Sequence, residues 1–151
     1  MELTPDTLPH DPEATTREVY FLYCSGFVKI GVTNHLTRRM KELQVATPWR
    51  SQVICTIPGG RGTEDYFHFI FQSYHFRGEW FSFGPDLRSF IERKAPDYAL
   101  EWLAEEEQIY LDLIEQQARL LGLITEERKV IPIRPGGRNG NGWNVRVVRT
   151  R

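Results

Sequence analysis

The clearest alternation of apolar and polar positions lies at residues 18–31, which read EVYFLYCSGFVKIG. Two runs rich in aromatic and β-branched residues flank Ser25-Gly26, the pattern of a tight β-hairpin, because glycine adopts the positive φ angles of short turns. With a side-chain period of two, Val19, Phe21 and Tyr23 share one face of the first run and Tyr20, Leu22 and Cys24 share the other. On the second run Lys29 and Gly31 alternate with Val28, Ile30 and Val32. The period then lengthens. Leu36, Met40 and Leu43 at i, i+4, i+7 predict a helix over 35–45 with Asn34 as its N-cap, leaving Arg38, Arg39 and Lys41 off the buried stripe. A third strand is predicted over 51–57, then a Pro/Gly loop over 58–62. Thr63 is the expected cap of the next helix, which runs to about residue 74 with Phe67, Ile70, Phe71 and Tyr74 inward. Residues 77–83, RGEWFSF, read as a compact aromatic segment. A short helix over 85–94 follows, and a long one over 97–121 carries two apolar stripes and stops at Gly122.

Composition bounds the class. At 151 residues, with 40% apolar and 13% aromatic content, the chain has the size of one domain with a sizeable core. No apolar run approaches the ~20 residues of a membrane span, and the start lacks the basic and apolar stretches of a secretory signal. Cys24 and Cys55 sit in strand-like runs rather than in a C-x-x-C pair, so buried reduced thiols in the cytoplasm are expected.

The net charge of −1 conceals segregation. Residues 1–16 hold four acids and no Lys or Arg, and with Pro5, Pro9 and Pro12 they read as a mobile leader. Residues 17–95 carry 11 basic and 7 acidic side chains. Residues 96–127 carry 9 acids and only Arg119, whereas 128–151 carry 7 basic residues and no acid. Local charge, not the total, sets affinity for a polyanion, so a nucleic-acid face is compatible with this balance. The expected organisation is a leader (1–16), a domain (17–95), an acidic amphipathic helix (96–122) that packs on the core or a partner, and a basic Gly/Arg-rich tail (123–151). Arg38 and Lys41 on the first helix and Arg138, Arg146 and Arg149 in the tail are the candidate nucleic-acid contacts.

Five polar residues are candidates to converge: Tyr20 and Lys29 from the hairpin, Arg39 from the first helix, and Glu64 and His68, four apart on one face of the second. A carboxylate for a hard divalent cation, an arginine for a phosphate and a phenol beside a cation would form a phosphodiester-cleaving set. The bland alternatives are a solvated cross-strand pair for Tyr20 and Lys29, a dipole residue for Glu64 and a satisfied core histidine for His68.

The order of these residues resembles the GIY-YIG nuclease superfamily. Its first motif corresponds to Val19-Tyr20-Phe21 and its second to Lys29-Ile30-Gly31, with Arg39 ten residues after Lys29. Glu64-x-x-x-His68-x-x-Phe71 and Gly78-Glu79-Trp80-Phe81 are similar to a branch common in phage and microbial proteins. The resemblance covers about 18–83. It implies an α+β fold, a small three-stranded antiparallel sheet flanked by helices, here with a C-terminal helical extension and a basic tail. It also implies a metal-dependent endonuclease that hydrolyses DNA phosphodiesters with one Mg²⁺ (or Mn²⁺). Tyr20 would be the general base or water-positioning phenol. Lys29 replaces a second tyrosine and would favour the phenolate; Arg39 would hold the phosphate, Glu64 would ligate the metal and His68 would complete the site. Gly31 would permit close backbone approach. The late asparagine of many members has no clear counterpart unless Glu79 or His75 serves. DNA is the expected partner, with RNA as the alternative, no membrane, and self-association or protein docking through helix 97–121. The compartment implied is the cytoplasm, that of the host if the protein is phage-encoded. The rival reading is a catalytically inactive nucleic-acid-binding or assembly module on the same scaffold.

Overall fold

A computed structural model describes residues 2–123 and the backbone of 128–132 and 145–149. Two units divide the chain, Met1–Leu103 and Ala104–Arg151. The first contains strands β1 (Glu18–Cys24), β2 (Phe27–Thr33), β3 (Ser51–Pro58), β4 (His75–Arg77) and β5 (Trp80–Ser82). Its helices are α1 (Leu36–Ala46), α2 (Arg61–Ile70), α3 (Pro85–Lys94) and the start of α4 (Asp97–Leu120).

The hairpin forms as its alternation demands. Ser25 and Gly26 both take positive φ, 49° and 85°, the handedness a two-residue turn needs to match the twist of its strands. Tyr20 then pairs with Gly31, and Leu22 with Lys29. β1 is an interior strand, buried on both faces, with β3 antiparallel on its other side.

The expected three-stranded sheet is corrected to five strands, all antiparallel, in the order β3-β1-β2-β5-β4. The compact aromatic segment belongs to a second hairpin, β4 paired antiparallel with β5. Its strand β5 pairs with β2, setting Lys29 beside Trp80 and Val28 beside Phe81. β4 and β5 have three residues each, too few for a period-two signal to stand out. The class remains α+β.

Two clusters sandwich the sheet. On one face Val19, Phe21, Tyr23, Val28 and Ile30 pack with Phe67 of α2 and Phe71 just past its end, Leu87, Phe90 and Ile91 of α3, and Ala99 and Leu103 of α4. The Phe21 and Phe67 rings meet edge to face at 5.1 Å. On the other face Tyr20 and Leu22 pack under α1 through Leu43, Leu36 and Met40. Tyr20 therefore lies between β1 and α1.

Both predicted N-caps move. His35, not Asn34, caps α1, its Nδ1 accepting the Arg38 N–H. α2 begins two residues before Thr63, and its cap comes from the leader: Asp11 accepts from the Gly60 and Thr63 N–H groups at 2.9 and 3.0 Å and from the Thr63 hydroxyl at 2.6 Å. Further leader contacts join the Tyr66 hydroxyl to the carbonyls of Thr4 and Thr7, and Asp6 to Arg93 and Lys94.

In the second unit α4 continues to Leu120 and closes with Leu123 N–H donating to the Ala118 carbonyl and Gly122 N–H to Arg119. Strands β6 (Arg128–Pro132) and β7 (Val145–Arg149) pair antiparallel. Among the described residues no helix is long and apolar enough to cross a membrane.

Candidate phosphodiester site

The strand β2 segment Lys29-Ile30-Gly31 is where the candidate residues assemble. Gly31 faces Tyr20, and a Cβ placed on it would lie 2.5 Å from the phenol oxygen and 2.6 Å from Cζ. Only glycine leaves the ring its place. Tyr20 is 0% exposed. Its hydroxyl oxygen accepts the Arg39 Nε–H at 3.3 Å, and Arg39 Nη1 donates to Glu42 Oε2 at 3.3 Å. The phenol first, then Glu42, raises the Arg39 pKa further above its ordinary value.

Lys29 turns elsewhere. Its ammonium forms an ion pair with Glu79 from the β4–β5 turn and lies 5.8 Å from the Trp80 ring centroid. The cation bonded to the phenol is thus Arg39, where sequence reasoning had placed Lys29.

The third part is the start of α2. Glu64 is 7% exposed in the first turn. Burial first, then the negative charge of Glu79, pushes its carboxyl above the ordinary value of 4.5, while nearby His68 opposes the rise. His68 Nε2 sits 3.0 Å from the Ile30 carbonyl, which requires that nitrogen to carry the proton. It thereby engages a backbone oxygen of β2 beyond the end of β5's pairing, since β5 reaches only Lys29.

Two hydrogen-bonded pairs, Tyr20–Arg39 and Lys29–Glu79, together with Glu64 and His68, are therefore carried by β1, β2, α1, α2 and the β4–β5 turn. Glu79 is the residue the sequence reading left out of the set. Its signal was the family position that lacked an asparagine, but its reach to Lys29 depends on a hairpin that was not predicted. Of the nucleic-acid candidates, Arg38 and Lys41 are exposed on α1, with Arg38 3.7 Å from Glu42. Arg138 lies outside the described residues, and so do the side chains of Arg146 and Arg149 on β7.

Glu64 tests what cation would fit. Among the described residues no group of three or more His, Cys, Asp or Glu side chains could hold a metal. A zinc-type all-protein cage is not formed by them. One buried carboxylate with a second carboxylate near it does fit an ion such as Mg²⁺, which takes one or two protein oxygens and completes its shell with water and phosphate.

The fold and these residues define an α+β domain with an arginine–phenol pair between β1 and α1 and a buried acidic residue on α2. The model of the T5orf172 domain matches residues 15–104, and the chain belongs to that family, which is associated with endonuclease-like proteins. No curated protein and no solved structure matches the chain.

Proposed function

We propose that this protein is a metal-dependent endonuclease of GIY-YIG type that hydrolyses DNA phosphodiester bonds. The observation that carries the reading is the Arg39–Tyr20 hydrogen bond above Gly31, with the buried Glu64 on α2, the helix that His68 ties to the neighbouring Ile30 carbonyl. Arg39 grips a phosphate oxygen by charge-assisted hydrogen bonds. Tyr20 orients the attacking water and, as the phenolate paired with the Arg39 guanidinium, takes its proton. Lys29 and Glu79 hold each other and frame the site from β2. His68, bonded to the Ile30 carbonyl, fixes α2 against β2 so that Glu64 stays in place. Glu64 would hold one Mg²⁺ or Mn²⁺, which when bound supplies charge neutralisation at the phosphate.

The test is nicking of supercoiled plasmid with Mg²⁺ or Mn²⁺. Wild type nicks; Glu64→Ala and Arg39→Ala lose on the order of 10²-fold or more in rate. Absence of nicking by wild type across metals and salt concentrations overturns the enzymatic reading.

One observation favours a second reading, a nucleic-acid-binding module without cleavage: the Tyr20 phenol is fully buried. That module binds DNA or RNA in a salt-dependent way without metal, and binding survives Glu64→Ala. A role for helix 97–121 in self-association or docking is supported by exposed Ile109, Tyr110 and Leu113. Light scattering of the full chain and of Leu113→Glu tests it. The cytoplasm, of a host cell for a phage protein, is the compartment this function implies.

A further inference from the structure

Arg39 also lines a groove that the chemistry at Tyr20 leaves unused. The groove has a volume of about 270 Å³ and is walled by Arg17, Asn34, Arg38, Arg39 and Glu42 over Val32 and Thr33. Its arginines come from separate parts of the chain. Glu18 pairs with Thr33, so Arg17 arrives opposite the β2–α1 turn. Arg38 and Arg39 stand at the third and fourth positions of α1, which has no acidic residue in its first turn. The positive end of a helix disfavours cations, so helix stability does not explain two arginines there. Apart from the Arg39–Tyr20 bond, their protein partners are exposed ion pairs, Arg17–Glu13 at 3.4 Å, Arg39–Glu42 at 3.3 Å and Arg38–Glu42 at 3.7 Å. Such pairs are weak and readily exchanged for a stronger anion. Three guanidinium groups against two carboxylates leave the groove short of negative charge.

We propose that this groove is a second phosphate subsite, in which Arg17 and Arg38 bind the backbone phosphate next to the one held by Arg39, and that Glu42 is the internal anion that DNA displaces. The proposal rests on the nuclease reading for its substrate, a DNA strand. It also accounts for the buried phenol. In the free protein Glu42 and Tyr20 share the Arg39 head group, which sits against the hydroxyl. A phosphate that draws Arg39 from Glu42 opens the way to Tyr20. Arg17 and Arg38 are positioning residues here, and Glu42 sets the cost of entry.

Binding of a fluorescent duplex DNA in EDTA, followed by anisotropy across a salt series, separates binding from cleavage. Arg17→Ala and Arg38→Ala each weaken binding several-fold and reduce the slope of log K against log salt by about 1. Glu42→Gln tightens binding several-fold. Arg119→Ala, an equal loss of charge on α4, is the reference. If the groove variants weaken binding no more than Arg119→Ala with the slope unchanged, or if Glu42→Gln does not tighten it, the subsite is overturned. Arg38 has only exposed partners, so Arg38→Ala carries the test should Arg17→Ala fail to fold, and Arg38→Lys partly restores the slope. Wild type that binds DNA in this pattern yet never nicks plasmid refutes the nuclease reading alone. Nicking with unaltered binding in both arginine variants refutes the subsite alone.

Discussion

Gly31 is the position at which sequence and site constrain each other most tightly. The strand period put Tyr20 and Lys29 on one sheet face, and the register opposes Tyr20 to Gly31. Any side chain at 31 meets the phenol, with the first added carbon 2.5 Å from its oxygen. Gly31→Ala is expected to cost about 1–3 kcal/mol, the usual result of overpacking, and to displace Tyr20. A lowered urea midpoint together with lost nicking checks both effects; an unchanged midpoint would contradict the packing. Glu64 makes a second prediction. Its carboxyl is raised by burial and by Glu79, so the folded state is penalised once Glu64 ionises. The stability linked to it is full below the ordinary value of 4.5 and is lost as pH rises through the higher folded value. Glu64→Gln should therefore melt above wild type at neutral pH without metal, with the gap closing below about pH 4.5. Mg²⁺ should raise the melting temperature of wild type and not of Glu64→Gln. Residue types and faces were legible because side-chain period is local. The partners were not: Lys29 meets Glu79 and Tyr20 meets Arg39 only after distant segments pack.

At the scale of elements, length decided what could be read. α1, α3 and α4 carry several turns of apolar spacing, and their predicted spans lie within a residue or so of the observed ones. The three-residue strands β4 and β5 hold one buried position between them, Phe81. No pattern can emerge from that, so the sheet was expected two strands short. The start of α2 failed for a different reason. Thr63 has the chemistry of a cap, but the helix opens at Arg61, and Asp11, 52 residues earlier than Thr63, supplies the accepting oxygens. A long-range cap has no local signature. The hydrogen bonds from the Thr63 hydroxyl and the Glu13 and Gly60 amides hold the Asp11 carboxyl at about 2, well under the ordinary 3.8. A lowered acid contributes stability that is present above the ordinary value and is lost as pH falls through the folded one. Asp11→Ala should accordingly lower the melting temperature at pH 7, and the difference should shrink between about pH 4 and pH 2. A melting temperature that does not respond at pH 7 would show that the leader does not support α2.

For the first unit as a whole, charge and burial mark different limits. Composition changes at residue 96, where the acidic stretch starts. Apolar packing continues past it: Ala99 is 0% exposed, Leu103 is 3% exposed, and the Trp102 ring meets Tyr23 edge to face at 6.0 Å. The family match runs to residue 104, where the burial also ends. Charge reports the solvated side of a helix and says little about the opposite stripe, so a limit drawn from charge falls short of one drawn from the core. Leu103→Ala is expected to cost about 2–5 kcal/mol, the range for emptying a buried leucine site. A chain stopped after Lys94 loses Ala99, Trp102 and Leu103 together and should show no cooperative urea transition. A chain stopped after residue 104 keeps every side chain of the cluster and should unfold cooperatively. If the shorter chain melted as sharply as the longer one, the first two turns of α4 would be dispensable, and the core on that face of the sheet would have to close without them.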